Sequence, residues 1–147
     1  MRLWYYALIP VLDNKHLISQ WRECIAIKRQ WEKGTLKHRL VSYVTDYDKA
    51  YFYKYFVNIA YEMDNRKIKF NVNFLKEMQD FTHTNIADLK YKYRDNKLIY
   101  PEHNDRYLRE CLYNLEEKAT RGIITKQEWQ KIYNKYKDKF DLWDGEE

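Results

Sequence analysis

Apolar residues recur at helical spacing along most of this chain and predict an all-α fold. The first twelve residues form an apolar segment that contains Pro10. Asp13 and Asn14 are both suitable N-cap residues, so a first helix is expected from there to about Glu32. Gly34 follows at the position where a glycine commonly ends a helix.

The middle of the chain carries a second amphipathic pattern. It predicts a helix from Asp46 or Asp48 to about Asn65, followed by a short helix over about 74–81. The stretch from about 82 to 102 lacks helical spacing and is expected to be a long loop. The buried stripe of the second helix is expected to consist of Phe52, Phe56, Ile59 and Met63.

Two more helices are predicted in the last third of the chain. One begins near Asn104 or Asp105 and ends at Gly122, and the last begins with a capping box formed by Thr125 and Glu128. The expected buried residues are Leu108, Leu112, Leu115 and Ala119 in the former, and Trp129, Ile132, Tyr133, Tyr136 and Phe140 in the latter.

The length and the scarcity of turn residues favour one helical domain. The 147 residues are enough for one domain and not comfortably two. With three glycines and two prolines the chain lacks the turn residues that all-β folds usually need. We therefore predict a compact all-α single domain over residues 1–147, with three main helices, a C-terminal helix and long basic-aromatic loops.

The two cysteines, Cys24 and Cys111, show no CxxC spacing. This argues against a zinc site or a redox pair and fits a reducing compartment. We expect no metal and no cofactor. The apolar start is too short to span a membrane and shows no cleavage site. The expected location is cytoplasmic, at the nucleoid, or in the host cytoplasm if the gene belongs to a phage.

The charge balance suits an acidic partner. The net charge is +5, and aromatic residues make up 18% of the chain, with fifteen tyrosines. Nucleic-acid binding combines such charge with stacking aromatic rings, but a tyrosine-rich core under a solvated basic surface has the same composition. The loops Lys37–Arg39 and Lys90–Arg94 are open to the same two interpretations.

The first helix carries the candidate chemistry. At about 100° per residue, Lys15, Arg22, Arg29 and Lys33 fall within roughly 40° of one another, which we call the basic stripe. His16 and Glu23 are seven residues apart and share the border between this stripe and the core. Glu23 is either a surface ion-pair partner or a general base where a DNA backbone docks. The core face is expected to contain Leu17, Ile18, Trp21, Cys24, Ile25 and Trp31.

The segment around Glu23 resembles that of a known family. The run His16 to Glu23 is similar to the His-Leu-Met-Ala-Glu-(Tyr/Phe)-Arg-Glu run of the phage and algal-virus pyrimidine-dimer DNA glycosylases. The opening Met-Arg-Leu-Trp looks like that of a bacterial branch of the family. Weaker similarity covers the segments 53–71, 100–103, 115–118 and 129–136.

The resemblance implies a DNA glycosylase with AP lyase activity, acting on pyrimidine dimers or abasic sites in duplex DNA as a monomer. It implies that the catalytic groups are the α-amine of Met1 and the carboxylate of Glu23. The amine attacks sugar C1′ and forms a Schiff base, and Glu23 assists proton transfer. The expected DNA-binding residues are Arg2, Lys15, His16, Arg22, Arg29, Lys33, Lys37, His38 and Lys118.

This chain departs from the family pattern in three places. The family nucleophile is a threonine exposed by removal of Met, whereas Arg2 is too large for that trimming, so Met1 is expected to remain. Two further arginines of the family correspond to Ala26 and Asn114 here. These changes bear on dimer specificity more than on amine chemistry. A free α-amine has a pKa of about 7.7–8.0, which leaves roughly 10–15% neutral at pH 7, far more than a lysine offers.

Two other functions remain open at this stage. One is a non-catalytic helical module that binds nucleic acid and shares the fold. The other is a protein-interaction domain with an incidental basic helix. A covalent adduct with abasic DNA separates the enzyme from both, and salt-sensitive nucleic-acid binding separates the two modules.

Overall fold

The computed structural model of the protein describes the backbone of residues 1–146 and the side chains of residues 1–140. This part contains no strand, which confirms the predicted compact all-α fold class. The single-domain boundary of 1–147 stays a prediction, and Glu147 lies outside the described residues. The α-helices are α1 (Asn14–Glu32), α2 (Lys49–Asn65), α3 (Asn73–Thr82), α4 (Asp105–Thr120) and α5 (Lys126–Glu146).

Side-chain caps explain why these helices begin where the sequence predicts. The Oδ2 of Asp13 accepts a hydrogen bond from the backbone N–H of His16 at 3.2 Å. Asn104 caps α4 in the same way. At the start of α5, Thr125 and Glu128 exchange side-chain to backbone hydrogen bonds of 2.9 and 3.1 Å. This reciprocal pair confirms the predicted capping box.

Helix α2 is the central helix of the first half of the fold. Its N-cap is Asp48, whose side chain accepts a hydrogen bond from the backbone N–H of Ala50. The predicted stripe is confirmed, and Tyr53 and Tyr55 are buried as well. Burial on more than one face is expected where a helix packs against both α1 and α3. The four stripe residues that the structure buries are Phe52, Phe56, Ile59 and Met63.

The segment predicted as a long loop contains one turn of π-helix, Asp88–Lys92. Asn85 and Asp88 exchange side-chain to backbone hydrogen bonds of 3.0 and 2.8 Å, which nucleates this turn locally. Leu98 and Tyr100 are buried, so the end of the segment is anchored in the core. None of the helices in the described part of the chain is both long enough and apolar enough to cross a membrane.

The N-terminal segment joins the two hydrophobic clusters of the molecule. One cluster is formed mainly by α1, α2 and α3, and it includes Leu3 and Ile9. The other is formed mainly by α4 and α5, and it includes Trp4 and Leu8. Because successive residues of one segment enter different clusters, its path is held from both sides. This packing determines where the chain's N-terminus lies.

Candidate active site

Gln20 ties the N-terminal segment to α1. Its side chain is completely buried, and its Oε1 accepts a hydrogen bond from the backbone N–H of Trp4 at 2.7 Å. Its Nε2 donates to the carbonyl oxygen of Arg2 at 2.9 Å and to Oε2 of Glu23 at 3.0 Å. The hydroxyl of Tyr55 lies 2.8 Å from both Oε1 of Gln20 and the carbonyl oxygen of Trp4. The start of the chain is thereby laid along α1, next to Glu23.

The carboxyl group of Glu23 is half-buried and surrounded by positive groups. The backbone N–H of Arg2 donates to it, and the α-amine of Met1, His16 and His38 are close enough to act on its charge. Burial raises the pKa of Glu23, and it outweighs the amine and the other groups, which act in the opposite direction. A carboxyl with a raised pKa is suited to both take and return a proton near neutral pH.

The α-amine of Met1 is a neighbour of Glu23 without contacting it directly. No ion pair within 4.0 Å joins the two groups in the described structure, and Met1 is 37% exposed. An accessible amine beside a carboxyl group is the arrangement that Schiff-base chemistry requires.

His16 lies beside this site and is partly buried, as expected for a residue on the border between the basic stripe and the core. Its Nδ1 is 2.9 Å from Oδ2 of Asp13, and its ring packs edge-on against Trp4 with centroids 5.9 Å apart. Burial acts to raise the pKa of Asp13, but the hydrogen bonds from His16 outweigh it and the net shift is downward. The Asp13 carboxylate therefore orients the imidazole and keeps its Nδ1 occupied, which leaves Nε2 as its second polar atom.

Arg2 connects the site to α4. Its guanidinium lies 5.6 Å from the centroid of the Trp4 ring. It is also hydrogen-bonded to the side chains of Tyr107 and Cys111. The hydroxyl of Tyr107 donates to the carbonyl oxygen of Leu3. Arg2 therefore has a structural role in addition to the DNA contact that was expected of it.

The basic stripe is confirmed as an exposed face of α1. Arg22 and Arg29 also line a groove of about 520 Å³ whose wall includes the aromatic rings of Trp21 and Phe74. Lys69, just after α2, adds a third cation to the rim of this groove and was not found from the sequence. Its place between α1 and α3 depends on packing that helical spacing does not reveal. The exposed stripe residues are Lys15, Arg22, Arg29 and Lys33.

One member of the stripe is tied to a neighbouring helix. Arg29 forms an ion pair with Glu77 of α3 at 3.4 Å, and its guanidinium lies 5.6 Å from the centroid of the Phe74 ring. Glu77 also pairs with the buried Lys28 at 3.2 Å. Burial opposes ionisation of Glu77, but hydrogen bonds from these two cations outweigh it and lower its pKa. The other three stripe residues have no ion-pair partner within the part of the chain that the structure describes.

Helix α1 has two buried polar residues that were not predicted from the sequence, Gln20 and Lys28. A signal was present, because Gln20 stands three residues after Leu17 and four before Cys24, inside the apolar stripe. A polar side chain in that position must find hydrogen-bond partners in the core. The pattern therefore marks Gln20 as important, although it does not identify the partners.

The remaining predicted residues are more spread out. Lys37 and His38 are exposed in the loop after α1, and His38 is near Glu23. Lys118 lies on α4, seven residues and therefore about 10 Å beyond Cys111, which Arg2 contacts. The structure thus gathers five predicted residues at the Glu23 carboxyl group, Glu23 included, and leaves Lys118 apart. The gathered residues are Met1, Arg2, His16, Glu23 and His38.

Comparison with known proteins bears on the same region. A family model described as pyrimidine dimer DNA glycosylase matches residues 1–76. No curated protein and no solved structure matches the chain. The matched region spans the N-terminal segment, α1, α2 and the start of α3, which is more than half of the 147 residues. It includes every residue of the candidate site except Lys118.

Proposed function

We propose a mechanism for this chain, which belongs to the pyrimidine dimer DNA glycosylase family and is a DNA repair glycosylase whose substrate is DNA. The α-amine of Met1 is the nucleophile, and the carboxyl group of Glu23 is the general acid and base. The enzyme acts on pyrimidine dimers or abasic sites in duplex DNA. After attacking C1′ it also cleaves the strand as an AP lyase.

One observation carries this proposal, namely the position of Glu23 beside the start of the chain. Its carboxyl group accepts from the Arg2 backbone N–H and from Gln20, and the amine of Met1 acts on it more strongly than the other positive charges, His16 and His38. A surface ion-pair partner would be expected to contact a cation, and no ion pair within 4.0 Å includes Glu23 in the described part of the chain. The raised pKa of Glu23 supports a role in proton transfer over a role in charge pairing alone.

The first step forms the Schiff base. The lone pair of the amine makes a bond to sugar C1′ while the bond from C1′ to the base breaks, and the departing base keeps that electron pair and takes up a proton. The amine nitrogen then loses its protons as the C1′–O4′ bond breaks and O4′ is protonated, which leaves a C=N bond. At an abasic site the aldehyde loses its oxygen as water instead. Glu23 is the group placed to carry protons between these atoms.

The second step cleaves the strand. The C=N bond makes the protons on C2′ acidic, because it accepts the electron pair left when one of them is removed. Glu23 in its ionised form takes this proton, and the electron pair then forms a C2′–C3′ double bond as the C3′–O bond breaks. The 3′ phosphate leaves with the electron pair of the broken C3′–O bond. Hydrolysis of the C=N bond finally returns the amine to Met1.

DNA would be held by the basic stripe and the loop that follows α1. The stripe residues without ion-pair partners are free to contact phosphates, and such contacts orient the duplex without reading its sequence. Reaching C1′ inside a duplex requires bending and extrusion of a base. We propose that one copy of the protein does this, in the cytoplasm and without a metal or a cofactor.

Borohydride trapping tests the proposal directly, because it reduces the C=N bond to a stable amine link. The protein would be incubated with duplexes that carry one abasic site, with UV-irradiated duplexes and with intact duplexes as the control. We expect adducts with the first two, and peptide mapping should locate the link at Met1. Cleavage of the glycosidic bond or of the strand without any adduct would overturn the amine mechanism. An adduct on a lysine would move the nucleophile to that residue.

A further inference from the structure

We propose that Gln20 is a positioning residue that holds the start of the chain and Glu23 in the arrangement needed for reaction. The proposal rests on the amine mechanism above, but it concerns a side chain that the chemical steps do not use. Gln20 is completely buried in the interior of α1 and lies too deep to touch a substrate. Its effect would be exerted through its hydrogen bonds.

The side-chain amide of Gln20 is saturated with partners. Nε2 has two hydrogens and donates both, to the carbonyl oxygen of Arg2 and to Glu23. Oε1 accepts from the backbone N–H of Trp4 and lies 2.8 Å from the hydroxyl of Tyr55. Rotation of the amide by 180° would set its oxygen against two acceptors and its nitrogen against the Trp4 N–H. The network therefore permits one orientation.

The two acceptors of Nε2 belong to parts of the chain that could otherwise move independently. The carbonyl of Arg2 is in the N-terminal segment, one residue from the reactive amine, and Glu23 is on α1. A single nitrogen, 2.9 Å from one oxygen and 3.0 Å from the other, fixes their separation. A displacement of about 1 Å in such a pair can cost on the order of 10²-fold in rate.

A neutral amide suits this position because it donates a hydrogen bond to Glu23 without repelling the Glu23 carboxylate. The titratable groups around the Gln20–Glu23 pair are the amine of Met1, His16, Cys24, His38 and the hydroxyl of Tyr55. A glutamate has the same length, and the family run carries one at this position. When protonated it has one donor for Glu23, but once ionised it has none and repels the Glu23 carboxylate.

The test uses the full-length protein and the rate of borohydride trapping on an abasic duplex between pH 6 and 9. Gln20→Met removes every hydrogen bond while keeping the volume, and trapping should fall by about 10²-fold at each pH. Gln20→Glu should recover part of the rate at low pH, and the ratio of its rate to that of the wild type should fall as the pH rises. Thr125→Ala, which removes the side-chain cap at the start of α5, controls for lost stability and should trap within about threefold of the wild type.

The outcomes distinguish a failure of the amine mechanism from a failure of the positioning role of Gln20. If the wild type forms no adduct, the amine mechanism fails and the role of Gln20 fails with it. If the wild type reacts and folded Gln20→Met reacts within about threefold of it, the positioning role alone is overturned. Should Gln20→Met not fold, Gln20→Glu decides, because a rate ratio that does not change with pH would mean that the side chain only fills space.

Discussion

The Nε2 of His103 donates a hydrogen bond to the hydroxyl oxygen of Tyr43 at 2.7 Å, while its Nδ1 accepts from the backbone N–H of Tyr6 at 3.1 Å. His103 is 6% exposed, and burial lowers its pKa to about 4. It is therefore neutral in the folded protein at physiological pH. This neutral ring links the N-terminal segment to the residues just before α4. The rings packed around it belong to Tyr5, Tyr6, Tyr43, Tyr55, Tyr100 and Tyr107.

His103 should make the protein lose stability in mild acid. The unfolded chain binds a proton at this residue below about pH 6.5, and the folded protein does so only below about pH 4. Between these values the unfolded state holds more protons, so stability falls as the pH falls. At pH 4.5 the loss from this residue should be about 2–3 kcal/mol.

Urea unfolding at pH 7.5 and pH 4.5 measures this loss. The free energy of unfolding should differ less between the two pH values in His103→Gln than in the wild type, by about the same 2–3 kcal/mol. This holds whatever the stability of the variant itself. The exposed His83 provides a matched control, and His83→Gln should keep the wild-type difference. An unchanged pH dependence in His103→Gln would show that the acid sensitivity lies elsewhere.

Glu23→Gln should separate catalysis from DNA binding. The amide keeps the size of the carboxylate and an oxygen that can still accept from Gln20, so α1 should be undisturbed. DNA affinity should stay the same or increase, because a negative charge near the phosphates is lost. Turnover on an abasic duplex should fall by about 10²-fold or more.

A gel-shift titration and a cleavage rate measured on this one variant are sufficient to separate the effect on DNA binding from the effect on catalysis. Glu116→Gln, the same change on the exposed surface of α4, should leave both unchanged. If Glu23 were only an ion-pair partner, its variant would show small changes in stability and normal strand cleavage. Cleavage within about threefold of the wild type would remove Glu23 from the mechanism.

Extending the chain before Met1 should abolish Schiff-base formation. Each added residue moves the amine by about 3.3 Å and converts the original nitrogen into an amide. We expect no borohydride adduct with one or two added residues, while affinity for DNA is retained. An equal extension at the C-terminus is the control. Undiminished trapping would assign the nucleophile to a lysine, with Lys118 and Lys15 as the first to replace.

DNA binding should be mainly electrostatic and depend on the basic stripe. If six or more phosphates are contacted, affinity should fall by about 10³-fold or more between 50 and 200 mM salt. Arg22→Ala should weaken binding to all duplexes alike. It should also reduce the slope of the logarithm of the binding constant against the logarithm of the salt concentration by about one. Arg106→Ala, on α4 outside the stripe, is the control. A binding constant that barely changes with salt would contradict this prediction.

Short-range interactions account for the parts of the structure that were predicted. Asp13, Asp48, Asn104 and Thr125 each accept a hydrogen bond from a backbone N–H two or three residues ahead, and such caps depend on neighbouring residues alone. The basic stripe lies on one helix, so helical spacing was enough to align it. The π-helical turn at Asp88–Lys92 was missed because its cap lies in a segment without an amphipathic pattern.

The active-site arrangement was decided by tertiary structure. Periodicity identified the buried face of α1, but it does not say which segment covers that face. The N-terminal segment covers that face and is held by three long-range hydrogen bonds. They run from Trp4 to Gln20, from Tyr55 to Trp4 and from Tyr107 to Leu3, across 16, 51 and 104 residues respectively. The sequence by itself determined that Glu23 stands beside a basic stripe. Only the packing of α1, α2 and α4 around the first four residues decided that it also stands beside the amine, because that position needs partners from distant parts of the chain.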